Sequence, residues 1–260
     1  MPSLTYGGFV TFATYRDLWL EAGDPHRVAA FWAAVLGMDL EPFGQGGYLL
    51  ASAQPERSVY VVPSSPGSLT GFRLHVDLAA DDLVQVRQLV DSATDHDDDE
   101  PWLELSGPED SELRCFPTVE PPADRRYEMV LAAERPTRAA RWWARVFGAV
   151  HESAAGGDYA WVSQIPGAPF ETLLFTREMP YNSYQRARMR LTTIDMPGLI
   201  RYGAAMVAGE HPVTDRGIDA RLPTHVMRCA EGIEFVVVDA SGSPEMARSS
   251  RPAKPVMGPR

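Results

Sequence analysis

Cysteine is scarce: Cys115 and Cys229 are the only two in 260 residues. That count excludes a disulfide scaffold and a four-cysteine zinc site, and the usage fits a reduced, cytoplasmic protein. No apolar run approaches the roughly 18 residues that a membrane span needs. The opening stretch MPSLTYGGFVTFATYRD has neither a basic leader nor an apolar segment ending in small residues, so no signal peptide is expected. Basic residues are outnumbered, 24 Lys+Arg against 35 Asp+Glu, for a net charge of -11. A body that negative is a poor non-specific partner for nucleic acid or an anionic membrane surface, and neither is expected as a partner.

What remains is an ordinary globular composition, 45% hydrophobic and 10% aromatic. The length suits two domains. Charge is unevenly spread: residues 1–120 hold 20 acidic against 6 basic residues, whereas residues 121–240 hold 14 of each. The last twenty residues, SGSPEMARSSRPAKPVMGPR, contain four prolines and little that could be buried, which predicts a disordered tail over 241–260. The acidic run from Asp95 to Glu100 lacks the alternating ligands and central glycine of a calcium loop and reads as a solvated surface loop.

The chain also repeats itself. DLWLEAGDPHRVAAFWAAVLGM (17–38) aligns without gaps on EMVLAAERPTRAARWWARVFGA (128–149), with nine of 22 positions identical. Each copy reads as a strand, a proline-opened helix and a closing glycine: Pro25 and Pro136 suit a first helical turn, Gly37 and Gly148 a left-handed C-cap. Trp32 and Trp143 fall on the apolar helix stripe and are expected in the core. Alternating segments follow each helix. GPEDSEL (107–113) then aligns on CAEGIEF (229–235), so the second copy carries about eleven extra residues, placed around MPYNSYQRAR. The Gly-rich segments GQGG (44–47) and AAGGD (154–158) lack a phosphate-loop lysine and a dinucleotide fingerprint, and read as hairpin turns.

The segments GDPHRVAAFWAAVLG, RLHVDLAADDL and GPEDSEL in the first half, and ERPTRAARWWARVFG and EGIEFVVVD in the second, resemble the vicinal oxygen chelate superfamily, the glyoxalase and bleomycin-resistance-like proteins. The resemblance implies an α+β fold. It would comprise two tandem domains, 1–120 and 121–240, each of two βαβββ units forming a cupped mixed sheet around a cavity. Covalent linkage of the two copies then allows a monomer, with a homodimer as the alternative.

Metal-using members of that superfamily draw ligands from three strand positions. Carried onto the first half, these are Asp17, His75 and Arg114; onto the second, Glu128, Arg188 or Met189, and Val236. Arg114 is a cation with no lone pair to give, so the metal pattern is broken. Glu112, two residues away on the same face, leaves a set of Asp17, His75 and Glu112 conceivable. The expectation is a small organic ligand held without a metal or other cofactor. In it, Asp17, Glu112, Arg114 and Glu128 bind the ligand, and His75, whose ordinary pKa lies near neutrality, serves as a general acid or base. The alternative is a metal-dependent enzyme, a lyase, isomerase or dioxygenase-like activity. Cys115, by strand parity, points away from the cavity.

Overall fold

The computed structural model describes residues 4–6, 9–52, 57–64, 74–80, 103–110, 112–117, 127–177, 187–207 and 222–241. The Asp95–Glu100 run, most of the MPYNSYQRAR insertion and nearly all of the tail lie outside these residues. A short antiparallel hairpin of β1 (Leu4–Tyr6) and β2 (Phe9–Thr11) precedes four strand-rich units. The first unit comprises β3 (Ala13–Ala22), α1 (Pro25–Leu36), β4 (Asp39–Phe43), β5 (Gly47–Ala51) and β6 (Val59–Pro63). The second comprises β7 (Leu74–Ala80), β8 (Leu103–Ser106) and β9 (Glu112–Pro117). The third comprises β10 (Tyr127–Ala133), α2 (Pro136–Phe147), β11 (Val150–Ser153), β12 (Tyr159–Ser163) and β13 (Thr172–Arg177). The fourth comprises β14 (Ala187–Thr193), the short α3 (Met196–Arg201), β15 (Ala205–Met206), β16 (Thr224–Arg228) and β17 (Glu234–Asp239).

Both long helices begin and end as their sequences require. Proline sits in the first turn of each, and Gly37 (φ 69°) and Gly148 (φ 64°) close them in the left-handed region that glycine enters without a Cβ clash. In α1 the Asp24 carboxylate accepts a 3.1 Å hydrogen bond from the Arg27 N–H. In α2 the cap residue is Arg135, which offers no such acceptor. The apolar stripes face inward: Trp32 is 1% exposed and Trp143 fully buried, so both tryptophans are core. Truncating either side chain to alanine is a change of ~3–5 kcal/mol.

Two mixed sheets result. The eight-stranded sheet runs β15-β16-β17-β14-β3-β6-β5-β4, and the seven-stranded sheet runs β11-β12-β13-β10-β7-β9-β8. The sheets therefore join units across residue 120. The first unit pairs with the fourth through antiparallel β3 and β14, and the second with the third through antiparallel β7 and β10.

Helix α2 ties the two sheets together. Trp143 stacks on Phe147 (centroids 5.4 Å apart) and meets Phe235 of the eight-stranded sheet edge-on at 5.1 Å. The segment before β3 hooks over its C-terminus, where the Phe12 N–H donates to the Val146 carbonyl at 2.9 Å.

A repeated glutamate locks sequence-adjacent units. The Glu109 carboxylate, in the turn between β8 and β9, accepts hydrogen bonds from the Gly23 and Asp24 N–H groups at 3.0 and 2.7 Å, just before α1. Its counterpart Glu231, between β16 and β17, pairs instead with the Arg135 and Arg138 Nε atoms at 3.1 and 2.9 Å. The two expected glycine turns are also present, with left-handed Gly44 and Gly46 between β4 and β5 and Gly157 between β11 and β12.

Candidate functional site

Because strand side chains alternate, each sheet has a face packed on the helices and an opposite face. In the eight-stranded sheet Leu18, Leu20, Met189, Val59 and Phe235 join the helix-side core, whereas Asp17, Trp19, Glu21, Tyr60, Arg188, Arg190, Glu234 and Val236 alternate with that set and are also buried. This second face holds an ion-pair network. Arg190, fully buried, donates from Nε and Nη2 to the two Asp17 carboxylate oxygens, both at 2.7 Å. Its guanidinium lies 4.6 Å from the Tyr60 ring centre and 5.2 Å from that of Trp19, and those rings stack at 6.0 Å. Cation–π attraction thus supplements the bidentate pair. Arg188, 1% exposed, donates to Glu21 and to Glu234 (Nη2 to Oε2 at 3.0 Å), and Arg228 donates to the other Glu234 oxygen. One chain of charge, Glu21–Arg188–Glu234–Arg228, so crosses β3, β14, β17 and β16.

This geometry corrects the expected site in one respect. Asp17 does not share a sheet with His75, Glu112 and Arg114; it belongs to β3, whose partner is β14, while the other three stand on β7 and β9 of the seven-stranded sheet. The reason is the crossed pairing of units, which leaves the first and second units in different sheets. The set Asp17, His75 and Glu112 is therefore not one metal site. The eight-stranded face itself does not fit a cation: its carboxylates are engaged by buried guanidinium groups. Among the described residues no group of three or more His, Cys, Asp or Glu is arranged to hold a metal ion.

The seven-stranded sheet gathers the other four residues by register. His75 pairs with Glu112 on β9 and with Val130 on β10; Asp77 pairs with Arg114 and with Glu128. Glu128, assigned from the sequence to the second half, thus joins the three residues of the first. Arg114 is half-buried, whereas the side chains of His75, Asp77, Glu112 and Glu128 lie outside the described part of the structure. The two sheets are counterparts under the repeat: Glu128 corresponds to Asp17, His75 to Arg188 and Asp77 to Arg190. What the sequence reading missed is the pair Arg188 and Arg190 as a buried unit. The signal was present in ARMRLTT, where two arginines two residues apart must share one strand face.

Cys115 is fully buried in the helix-side core, away from that register set, as parity required. Cys229 is buried as well, and burial pushes its thiol pKa up from 9.0 to about 11, against the opposing pull of backbone hydrogen bonds at Glu231 and Ile233.

The comparisons agree with this architecture. Residues 17–116 match the Glyoxalase-like domain family. No curated protein matches the chain. Among solved structures, glyoxalase I from Zea mays superposes with a TM-score of 0.60 at 11% identity, covering 93% of this chain and 97% of that one. A putative dioxygenase from Bacillus subtilis gives 0.56 at 13%, covering 95% and 93%. The fold and its crossed sheets are those of the glyoxalase I structure, and the stretch 17–116 carries the Glyoxalase-like domain match. No helix among the described residues is long and apolar enough to cross a membrane.

Proposed function

We infer that this protein binds a small organic molecule over the seven-stranded sheet, without a resident metal or other cofactor. The observation that carries the reading is the separation of Asp17 from His75 and Glu112. Asp17 is committed to Arg190, whereas His75, Glu112, Arg114 and Glu128 stand in adjacent register on β9, β7 and β10. A planar guanidinium suits a carboxylate or other oxyanion of a ligand, and His75 is the group for proton transfer near neutrality. The charge of -11 keeps nucleic acid and anionic membranes off the partner list. The chain acts in the cytoplasm, as a monomer or homodimer.

The register also favours a second reading. His75, Glu112 and Glu128 are metal-ligand types on three neighbouring strands, so a divalent ion there would make the protein a metal-dependent lyase, isomerase or dioxygenase-like enzyme. Elemental analysis of purified protein separates the two. The first reading expects no stoichiometric metal, together with a small-molecule hit in a thermal-shift screen whose stabilisation is lost in His75→Ala and Arg114→Ala. A stoichiometric divalent metal that disappears in His75→Ala overturns it in favour of the enzyme.

A further inference from the structure

The geometry points to a second binding site, for a phosphoryl group on a small molecule, outside both sheet faces discussed above. A cleft of about 290 Å³ lies at the start of α2, lined by Arg135, Pro136, Thr137, Arg138, Arg141, Gly157 and Arg177. Four arginines thus line one cleft of a chain whose net charge is -11.

The fold does not require them. Under the repeat, Arg135 stands where the first half has Asp24, Arg141 where it has Ala30, and only Arg138 has an arginine counterpart, Arg27. Register extends the comparison: Ala22 pairs with Pro63 and its counterpart Ala133 with Arg177, so Arg177 replaces a proline. The corresponding four positions of the first half carry no net charge, and those of the second carry four positive charges.

Two of the four are held in place from beneath. The Glu231 side chain, 1% exposed, pairs with Nε of both Arg135 and Arg138, whose own side chains are about half exposed at 53% and 55%. In the first half the equivalent Glu109 is spent on backbone N–H groups instead. Arg177 pairs with Asp158, the residue after the cleft-lining Gly157; both are 58% exposed, so solvent weakens the pair. Arg141 makes no ion pair among the described residues. With Glu231 and Asp158 subtracted, two positive charges remain uncompensated. That matches a dianion, and guanidinium groups arriving from a helix and from a strand end suit the several oxygens of a tetrahedral group better than the two of a planar carboxylate.

The test uses the full chain and inorganic phosphate as the probe, by isothermal titration at constant low ionic strength, with pyrophosphate, succinate and chloride as comparators. Phosphate and pyrophosphate are expected to bind, and Arg141→Ala/Arg177→Ala to weaken both at least tenfold while leaving the unliganded melting temperature unchanged. Arg141→Lys, which keeps the charge, is expected to retain most of the affinity. Phosphate affinity equal in wild type and double variant, no phosphate binding at all, or tighter binding of succinate than of phosphate would each overturn the assignment. Because Arg177 pairs with Ala133, at the other end of β10 from Glu128, loss of phosphate binding is expected to leave the small-molecule screen above unaffected.

Discussion

Asp17 and Arg190 face one another across the β3–β14 junction, joined by two 2.7 Å hydrogen bonds at a point where both side chains are buried. A pair of this kind adds little net stability over apolar residues of the same shape, since both charges lost their hydration on folding. Removing one partner is different. Asp17→Asn leaves the Arg190 guanidinium buried with its countercharge gone and is expected to destabilise the protein by ~3–5 kcal/mol, measured as a shift of the urea midpoint. The double replacement Asp17→Leu/Arg190→Met is expected to recover most of that loss. Equal destabilisation by single and double variants would remove the pairing account.

The two C-cap glycines share a backbone conformation but not their surroundings. A Cβ at Gly37 would meet nothing within 4 Å, whereas one at Gly148 would lie 2.4 Å from Thr11 Oγ1. Gly37→Ala is therefore expected to cost only the left-handed penalty, ~1 kcal/mol. Gly148→Ala must also push away the segment that hooks over α2 and is expected to cost clearly more. Chemical denaturation of the two variants side by side checks the ranking.

Burial of Cys229 gives a pH dependence with a defined sign. In the unfolded chain the thiol ionises at its ordinary 9.0, while in the folded protein it holds its proton to about 11. The unfolded state then binds fewer protons between those values, so stability falls as pH rises through that window, by about 2–3 kcal/mol in total. Cys229→Ala is expected to show a correspondingly shallower loss between pH 9 and 11. The same thiol is expected to resist alkylation at pH 8 in the folded state.

Crossed sheets make each half dependent on the other. Residues 1–120 contain β3 without β14 and β7 without β10, so each half alone exposes two long strand edges that the intact chain covers. The halves 1–120 and 121–260 are expected to aggregate or stay unfolded when produced separately. Co-produced, they are expected to elute as one complex. A soluble, monomeric half with a cooperative melt would contradict this.

The local elements were legible in the sequence because their signals are local. Pro25, Pro136, Gly37 and Gly148 mark helix ends by their own backbone limits, and the apolar spacing around Trp32 and Trp143 sets the buried stripe. The repeat revealed the unit, and the resemblance revealed the fold. Which unit pairs with which was not legible: a strand such as ATYRDLWLEA specifies a face, not the identity of the strand beside it. Hence the superfamily's ligand positions, carried onto one half, group Asp17 with His75, whereas Arg190, its actual partner, lies on the far side of residue 120. Glu128 shows the converse, remote in sequence from His75 and adjacent to its strand.

The order of the sheets also dictates a timetable for biosynthesis. The seven-stranded sheet draws on the middle of the chain and has all its described strands once Arg177 has left the ribosome. The eight-stranded sheet must wait, because β3, which pairs with β6 of its own unit, meets its second neighbour β14 only when residues 187–193 emerge. Until then the N-terminal unit is kept in the vicinity by the Glu109 contact before α1, and closure over so long a stretch of polypeptide makes the last sheet the slow step in reaching the native state.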